Sequence, residues 1–319
     1  MAFSDIRIIL NPQAAKGKVR THKKAIEEQF HHLGVQVDIV LTNGRLDAID
    51  LACQAVHDGC HTIVAAGGDG TVNEVVNGVV KGIREKGLSF EHSPAVGLIP
   101  IGRGNDFAYF ATVPKEVDQA CLMIAQNTWH PTDYGELFGG EFPQGRCFIN
   151  GVGIGFEPMV NYVASSFKRI SGMASYLLGF LQVLLNYPKA VPLTITTEKE
   201  KIVLETQQIS VCNGRRMGST FIMGPKAEVD DGLLDVVYAN TPIAGSKILW
   251  YALKFFSGTQ LKSKKFSMIR SDEVKIEAAE DLLVCHADGE GVSQGCRTIE
   301  VKLYKNGLKF IRKRETVFD

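Results

Sequence analysis

The sequence predicts an α/β N-terminal domain built on a parallel sheet, followed by a mostly antiparallel β-sandwich domain. Short apolar runs alternate with apolar residues at helical spacing over the first third. Closely spaced β-rich runs with polar turns take over after about Asp133. The length of 319 residues suits about two domains of roughly 100–200 residues each. The expected domains are 1–132 and 133–303, with the tail from about 304 to 319 a candidate to pack back on the first.

In chain order, Ile6 to Leu10 reads as a strand ending at Asn11-Pro12. Val19, Ile26, Phe30 and Leu33 recur at helical spacing, and Val35, Val37, Ile39 and Leu41 alternate as a half-buried strand does. Ile49, Ala52 and Val56 mark a helix. Thr62 to Ala66 is a buried-strand candidate ending at Gly67-Gly68. Val72, Val75, Val76 and Val79 mark the next helix, Ala95 to Ile101 a further strand, and Val117, Cys121 and Ile124 another helix. Strands separated by single helices imply βαβ units.

The β-rich runs of the second half are Arg146 to Val152, Val191 to Thr197, Lys201 to Glu205, Gln208 to Cys212, Leu234 to Ala239, Glu273 to Glu277, Leu282 to His286 and Thr298 to Leu303. Lys199-Glu200 has the look of a hairpin turn. Met173 to Leu185 and Ile243 to Phe256 read as helices. No internal repeat or low-complexity linker interrupts the chain.

Lysine plus arginine (35) balances aspartate plus glutamate (35), which argues against a general nucleic-acid binder. The 45% hydrophobic and 22% charged content is that of a globular protein. Seven cysteines without a C-x-x-C pair point to a reducing cytosol and away from a zinc site or disulfide scaffold. The N-terminus lacks a secretion pattern. The longest apolar stretch, Tyr176 to Leu185, is far short of the ~20 residues of a membrane span. A cytoplasmic protein, at most peripheral at the inner face of a membrane, is expected.

Chemistry is concentrated in two glycine loops. Gly67-Gly68-Asp69-Gly70-Thr71 lies between a buried strand and a helix. Its glycines permit a tight turn and close approach of a ligand to the main chain, and the helix supplies unpaired N–H groups suited to phosphate. Asp69 would repel phosphate, so it makes sense beside a divalent cation or as a proton acceptor. The bland alternative is a T-x-x-E capping box formed by Thr71 and Glu74. The second loop, Pro100-Ile101-Gly102-Arg103-Gly104-Asn105-Asp106-Phe107, also follows a strand. It should face the same crevice at the carboxyl ends of the sheet. Arg103 could contact phosphate oxygens. Asn105 or Asp106 could orient a ligand, or simply cap a helix beginning at Phe107.

These residues match a known pattern. GGDGTVNEVVNG (Gly67 to Gly78) with PIGRGNDFA (Pro100 to Ala108) resembles the diacylglycerol kinase catalytic-domain family of lipid kinases, bacterial soluble members above all. ILNPQAAKGK (Ile9 to Lys18), AEVDDGLLD (Ala227 to Asp235) and Asp288-Gly289-Glu290 resemble its other elements, so the likeness spans most of the chain. GGDGT alone is shared with NAD kinases and phosphofructokinases, whose fold the first domain should share.

The resemblance implies ATP contacts from Asn11, Pro12, Gln13, Ala14, Ala15 and Thr42. It implies further contacts from Gly68, Asp69, Gly70, Thr71, Val72, Asn73 and Glu74, and from the position of Arg103. It implies a structural Mg²⁺ held by the Asp231 carboxylate with the main-chain carbonyls of Glu228 and Leu233, an all-oxygen set suited to that cation. Glu290 would take the proton from the acceptor hydroxyl, with Asp288 and Asp69 as the other candidates, and Asp69 would help position a catalytic Mg²⁺. Two departures stand out: Arg103 where the family has Thr or Ser, and Ala14-Ala15 where it has Ser-Gly. Read as residues alone, Asp231-Gly232 and Asp288-Gly289 are equally common turn signals.

The activity implied is transfer of the ATP γ-phosphate to a lipid hydroxyl in the cleft between the domains, with diacylglycerol the leading acceptor and phosphatidic acid the product. An NAD-kinase-like enzyme and a non-catalytic lipid- or nucleotide-binding protein are the alternatives. The partners expected are ATP and a lipid substrate at a membrane surface, with no nucleic acid; a homodimer is the assembly considered. Met173, Leu177, Phe180, Leu181, Leu184 and Leu185 can lie along one helical face, widened by Leu178 and Val183. That face could shelter acyl chains or meet a bilayer, although burial in the core is the commoner fate. Basic runs at Lys302, Lys305, Lys309, Arg312, Lys313 and Arg314, and at Lys262, Lys264 and Lys265, could attract anionic headgroups at about 1 kcal/mol per residue. Such runs are more often solvated faces.

Overall fold

The computed structural model describes residues 5–14, 19–167, 173–218, 220–280 and 282–313. The chain divides into two compact units, 1–132 with 306–319 and 133–305.

The first unit alternates β1 (Ile6–Leu10), α1 (Val19–His32), β2 (Val37–Leu41), α2 (Asp47–His57), β3 (Thr62–Gly67), α3 (Asp69–Lys86), β4 (Ala95–Pro100), α4 (Asp106–Phe110) and α5 (Val117–Gln126). The strands lie parallel in the order β2-β1-β3-β4, with Ile8 opposite Ile39 and Val64, and Val64 opposite Gly97. All residues of β3 and β4 are buried, as expected for parallel strands covered on both faces. The chain's last strand ends here: Lys309 and Phe310 pair parallel with Ala95 and Val96, and Phe310 packs edge-on against Phe107 at 4.7 Å.

That return corrects the reading of Lys309 and Arg312 as headgroup attractors; Lys302, Lys305 and Lys313 of the same run are exposed. Lys309 is buried, with Nζ donating to the carbonyls of Glu91 (2.7 Å) and Ser93 (3.1 Å) beneath the Trp129 ring. Arg312 is 2% exposed and donates to Thr132 Oγ1 at 3.0 Å and the Pro131 carbonyl at 3.2 Å. Both cations hold the unit together. Arg314 lies outside the described residues.

The second unit holds β5 (Trp129–Gly139, beginning at the end of the first unit), β6 (Phe142–Phe148), β7 (Gly151–Gly155), α6 (Phe156–Ser166), α7 (Met173–Leu185), β8 (Val191–Thr196), β9 (Lys201–Thr206) and β10 (Gln208–Cys212). These are followed by β11 (Arg216–Met217), β12 (Phe221–Ile222), β13 (Leu234–Ala239), α8 (Gly245–Phe256), β14 (Phe266–Ser271), β15 (Glu273–Ala278), β16 (Leu283–Ala287), β17 (Glu290–Cys296) and β18 (Thr298–Ile311). One antiparallel sheet runs β14-β13-β10-β7-β16-β17. A second set pairs the start of β18 with β15, β15 with β8, and β8 with β9 through the hairpin at Lys199-Glu200. Inward residues of both sets, among them Ile154, Val211, Val236, Ile195, Ile276 and Ile299, form one core, so this unit is the sandwich the sequence predicts.

The single run expected over Arg146 to Val152 is broken into β6 and β7. At the break, Asp288 accepts the N–H groups of Ile149, Asn150 and Gly151. The apolar face read on α7 is split as well. Val183 is buried, while Leu177, Leu178, Leu181 and Leu185 are exposed, so core burial does not account for them. The side chain of Met173 lies outside what is described.

Candidate functional site

The site in the first unit is built where β1, β3 and β4 end. The two glycine loops touch through their main chains. The N–H groups of Ile101 and Gly102 both donate to the Gly67 carbonyl at 3.1 Å. A β-carbon on Gly102 would lie 2.2 Å from the Gly68 α-carbon, and one on Gly67 would lie 2.3 Å from the Thr71 hydroxyl. Those spacings exclude any side chain, which accounts for the glycines there.

Side chains then tie the loops down, in a way that corrects the capping-box reading. The helix α3 begins at Asp69 with Gly68 at its N-cap and no side-chain cap. Thr71 Oγ1 instead accepts from Asn11 Nδ2 at 2.9 Å, joining the end of β1 to the helix. Glu74 receives the N–H groups of Leu46 (2.9 Å) and Ala48 (3.3 Å), capping α2 from a distance. Asp69 Oδ1 accepts the Phe107 N–H at 3.3 Å. Asn105 occupies the N-cap position of α4 in the left-handed region (φ 53°), but its Nδ2 turns back to the Gly102 carbonyl at 3.2 Å.

Beside these loops lies a cavity of about 490 Å³. Asn11, Pro12, Gln13 and Ala14 line it from the loop after β1, and Thr42 from the end of β2. Gly68, Gly70, Thr71 and Glu74 line it from α3, and Gly102 and Arg103 from the second loop. Asp69, Val72 and Asn73 do not line it; Val72 and Asn73 are 1% exposed and packed within the unit. Ala15 falls outside the described residues. Sequence reasoning missed Asn43, Gly44 and Arg45, which complete the wall. Arg45 and Arg103 are exposed cations on the rim of a cavity whose floor is the start of a helix, an arrangement suited to a polyphosphate.

The second unit carries the other expected residues. Asp288 sits in the left-handed region (φ 48°), held by Ile149 N–H at 2.8 Å, Asn150 N–H at 2.9 Å and Gly151 N–H at 3.0 Å. Its oxygens are thus committed to the backbone. Glu290, at the start of β17, pairs with Arg146 Nη2 at 3.0 Å; the two side chains are 18% and 7% exposed. The turn between them rests on partners the sequence did not reveal. The Gly289 N–H meets His286 Nδ1 at 3.2 Å, the Gly289 carbonyl accepts from Asn161 Nδ2 at 2.8 Å, and His286 Nε2 bonds to Glu157 Oε2. Burial works against a charge on His286, but Glu157 outweighs it, with Asp288 adding, and holds the imidazole above its ordinary value.

Glu157, with Gln207 and Gln208, also lines a mostly apolar cavity walled in part by α6, α7 and α8. Phe156, Phe180, Tyr187, Ile243, Tyr251 and Phe255 supply much of the wall. The Tyr187 hydroxyl is buried without a hydrogen-bond partner among the described residues, and burial pushes its pKa up to about 12.

The acidic turn at Asp231 is positioned by Asp133, which accepts the Gly232 N–H at 2.7 Å. Asp231 Oδ1 accepts the Leu233 N–H at 2.9 Å, and Oδ2 is 3.6 Å from Arg270. Burial raises the Asp231 carboxyl above its usual range, opposed by the Leu233 N–H and Arg270 and reinforced by Glu228 and Asp230. Nearby Asp235 is buried, with Oδ1 2.8 Å from Arg270 Nε and Oδ2 without a hydrogen-bond partner among the described residues. Surplus negative charge, an orphaned carboxylate oxygen and an all-oxygen donor set fit a hard divalent cation. Elsewhere, Cys53, His57 and Glu85 bring three potential ligand atoms within 4.8 Å of one another, but they already satisfy each other: Glu85 Oε2 lies 2.9 Å from His57 Nε2 and 3.3 Å from Cys53 Sγ.

An α/β unit with a cavity at the glycine-led start of a helix, joined in one chain to an antiparallel sandwich, is an architecture shared with known kinases. The comparisons agree. Residues 5–137 match the diacylglycerol kinase catalytic domain, and residues 150–304 match the YegS C-terminal NAD kinase beta sandwich-like domain. A probable lipid kinase YegS-like protein of Pseudomonas aeruginosa is 32% identical over 288 residues, covering 89% of this chain and 86% of its own. The diacylglycerol kinase of Bacillus subtilis is 26% identical over 288 residues, 89% of each chain. The crystal structure of a putative diacylglycerol kinase from Bacillus anthracis superposes with a TM-score of 0.76 at 22% identity, covering 98% of this chain and 96% of its own. An NAD kinase from Archaeoglobus fulgidus in complex with ATP gives 0.52 at 15% identity, covering 96% and 93%; both share the fold. The chain belongs to the diacylglycerol kinase catalytic-domain family of lipid kinases. Among the described residues no helix is long and apolar enough to cross a membrane.

Proposed function

We propose that the protein transfers the γ-phosphate of ATP to a lipid hydroxyl, with diacylglycerol the acceptor and phosphatidic acid the product. The observation that carries the lipid assignment lies within the second unit. Glu157 lines the apolar cavity, Glu157 holds His286, and His286 holds the Gly289 N–H beside Glu290. An apolar cavity of about 70 Å³ is thus linked through Glu157 and His286 to the Gly289 N–H, next to the carboxylate proposed as base. A dinucleotide acceptor would have no use for such a wall.

In this reading Arg45, Arg103 and the first turn of α3 hold the triphosphate. Glu290 accepts the hydroxyl proton; Asp288, with its oxygens committed to three N–H groups, keeps the turn in shape. Asp231, with the carbonyls of Glu228 and Leu233, would hold a structural Mg²⁺, and Asp69 would orient a second at the phosphates. Such ions supply charge neutralisation for phosphoryl transfer. The protein works in the cytoplasm and meets its acceptor at the inner membrane face.

Incubation with labelled ATP, Mg²⁺, a panel of lipids and NAD tests this reading. Label in phosphatidic acid is expected. Label in NAD alone would overturn the acceptor class, and label in no product across several nucleotides and metals would leave a binding protein.

A further inference from the structure

The helix α8 is apolar on both sides. Ile248 and Phe255 are buried and, with Tyr251 and Ala252, line the cavity described above. Leu249, Trp250 and Leu253 point the other way, at 60%, 53% and 58% exposure, with Phe256 one turn on. Positions 249, 250, 253 and 256 form one stripe at helical spacing. A helix apolar all round belongs in an apolar environment on every side, and among the described residues nothing covers this face.

The surrounding charge says what would. Between Asp235 and Asp272 the sequence has no carboxylate, but it has Lys247, Lys254, Lys262, Lys264 and Lys265. Lys247, Lys262 and Lys264 are exposed, and Lys254 Nζ lies over the Trp250 ring at 4.4 Å. A protein partner recognised by this surface would need its own apolar and acidic match. An anionic bilayer supplies both at once: acyl chains for the stripe, phosphate headgroups for the lysines, and an interfacial zone that favours tryptophan. Tyr187, just past α7, packs on Gly245 at the start of α8. The exposed leucines of α7 therefore belong to a neighbouring element. From Pro158 to Thr197 that stretch also lacks any carboxylate.

We infer that the outer face of α8, carried by Leu249, Trp250 and Leu253 and flanked by Lys247 and Lys254, docks the protein on an anionic lipid surface. Because the inner face of the same helix walls the apolar cavity, docking would bring that cavity to the membrane. The inference builds on the lipid-kinase reading, and its test separates the two.

Sedimentation of the full chain with phosphatidylglycerol-containing vesicles, and with pure phosphatidylcholine vesicles, measures docking. Binding to the anionic vesicles that weakens with salt is expected. L249Q/L253Q should bind at least tenfold more weakly, and K247Q/K254Q about 25-fold more weakly, from about fivefold per lysine. Both variants should turn over a dispersed short-chain diacylglycerol within twofold of wild type, yet lose at least tenfold on acceptor in vesicles. As a check that needs no change to the face, a W129F variant, leaving Trp250 as sole tryptophan, should shift its emission to the blue on anionic vesicles. Failure of wild type to bind, wild-type binding by both variants, or a solution dimer dissociated by L249Q/L253Q with vesicle binding unchanged would overturn the inference. If no acceptor is phosphorylated yet vesicle binding follows the expected pattern, docking stands and the kinase reading falls.

Discussion

Asp69 Oδ1 accepts the Phe107 N–H at 3.3 Å, so the carboxylate of the first glycine loop caps the helix that follows the second. One side chain thus has a structural duty and a proposed chemical one. Asn at this position keeps an acceptor for Phe107 but loses the charge. Asp69→Asn is expected to leave the melting temperature nearly unchanged while lowering kcat roughly 10²–10³-fold. Asp69→Ala should in addition cost about 1 kcal/mol through the lost cap. Denaturant melts beside steady-state kinetics check both; a fully active Asp69→Asn enzyme would leave Asp69 as a cap alone.

Glu290 is expected to behave differently because its partner is a largely buried cation. Glu290→Gln retains an oxygen toward Arg146 but cannot take a proton. It should lower kcat by about 10²–10⁴-fold with KM for ATP within about twofold. Glu290→Ala removes the ion pair from the largely buried Arg146 and should also destabilise the second unit by about 3 kcal/mol. Unchanged turnover in Glu290→Gln would move the proton acceptor elsewhere.

The ease with which these groups could be found from sequence follows physical lines. The strands and helices of the first unit were legible because each buries one face or both, which writes a period into Thr62 to Ala66 or Val72 to Val79. The glycine loops were legible because the Gly68 main chain leaves no room for a side chain at Gly102 and the Thr71 side chain leaves none at Gly67. What was hidden depends on contacts far apart in sequence. Glu157 and His286 are 129 positions apart, and neither sits in a pattern. Arg45 lies in a loop without periodicity. Lys309 and Arg312 looked like a solvated basic run because composition cannot show that carbonyl groups await them. Thr71 and Glu74 had the right spacing for a capping box, but Asn11 and the N-terminus of α2 offered them other partners.

Arg45 and Arg103 share the rim of the first-unit cavity. A charged hydrogen bond to phosphate contributes about 1.5–3 kcal/mol, reduced at exposed positions. Arg45→Ala and Arg103→Ala are each expected to raise KM for ATP about five- to tenfold with little change in the melting temperature. The effect should shrink when AMP replaces ATP as a competing ligand. Isothermal titration with ATP and AMP reads the difference. Equal losses for both nucleotides would place the arginines away from the phosphate tail.

The His286–Glu157 pair predicts a pH dependence whose sign can be worked out. Burial disfavours the charged ring, but Glu157 outweighs it, so the folded-state pKa is raised. The pair's contribution to stability is therefore complete below the ordinary histidine value of about 6.5 and is lost as pH rises through the raised value. The stability gap between wild type and Glu157→Gln should be widest on the acid side and close as pH rises. Activity should run the other way. A second proton on the ring at Nδ1 takes away the acceptor of the Gly289 N–H, loosening the turn that carries Glu290, so kcat should fall on the acid side. NMR titration of the His286 ring with and without Glu157→Gln locates the pKa directly. A ring that titrates below the ordinary value in wild type would refute both trends.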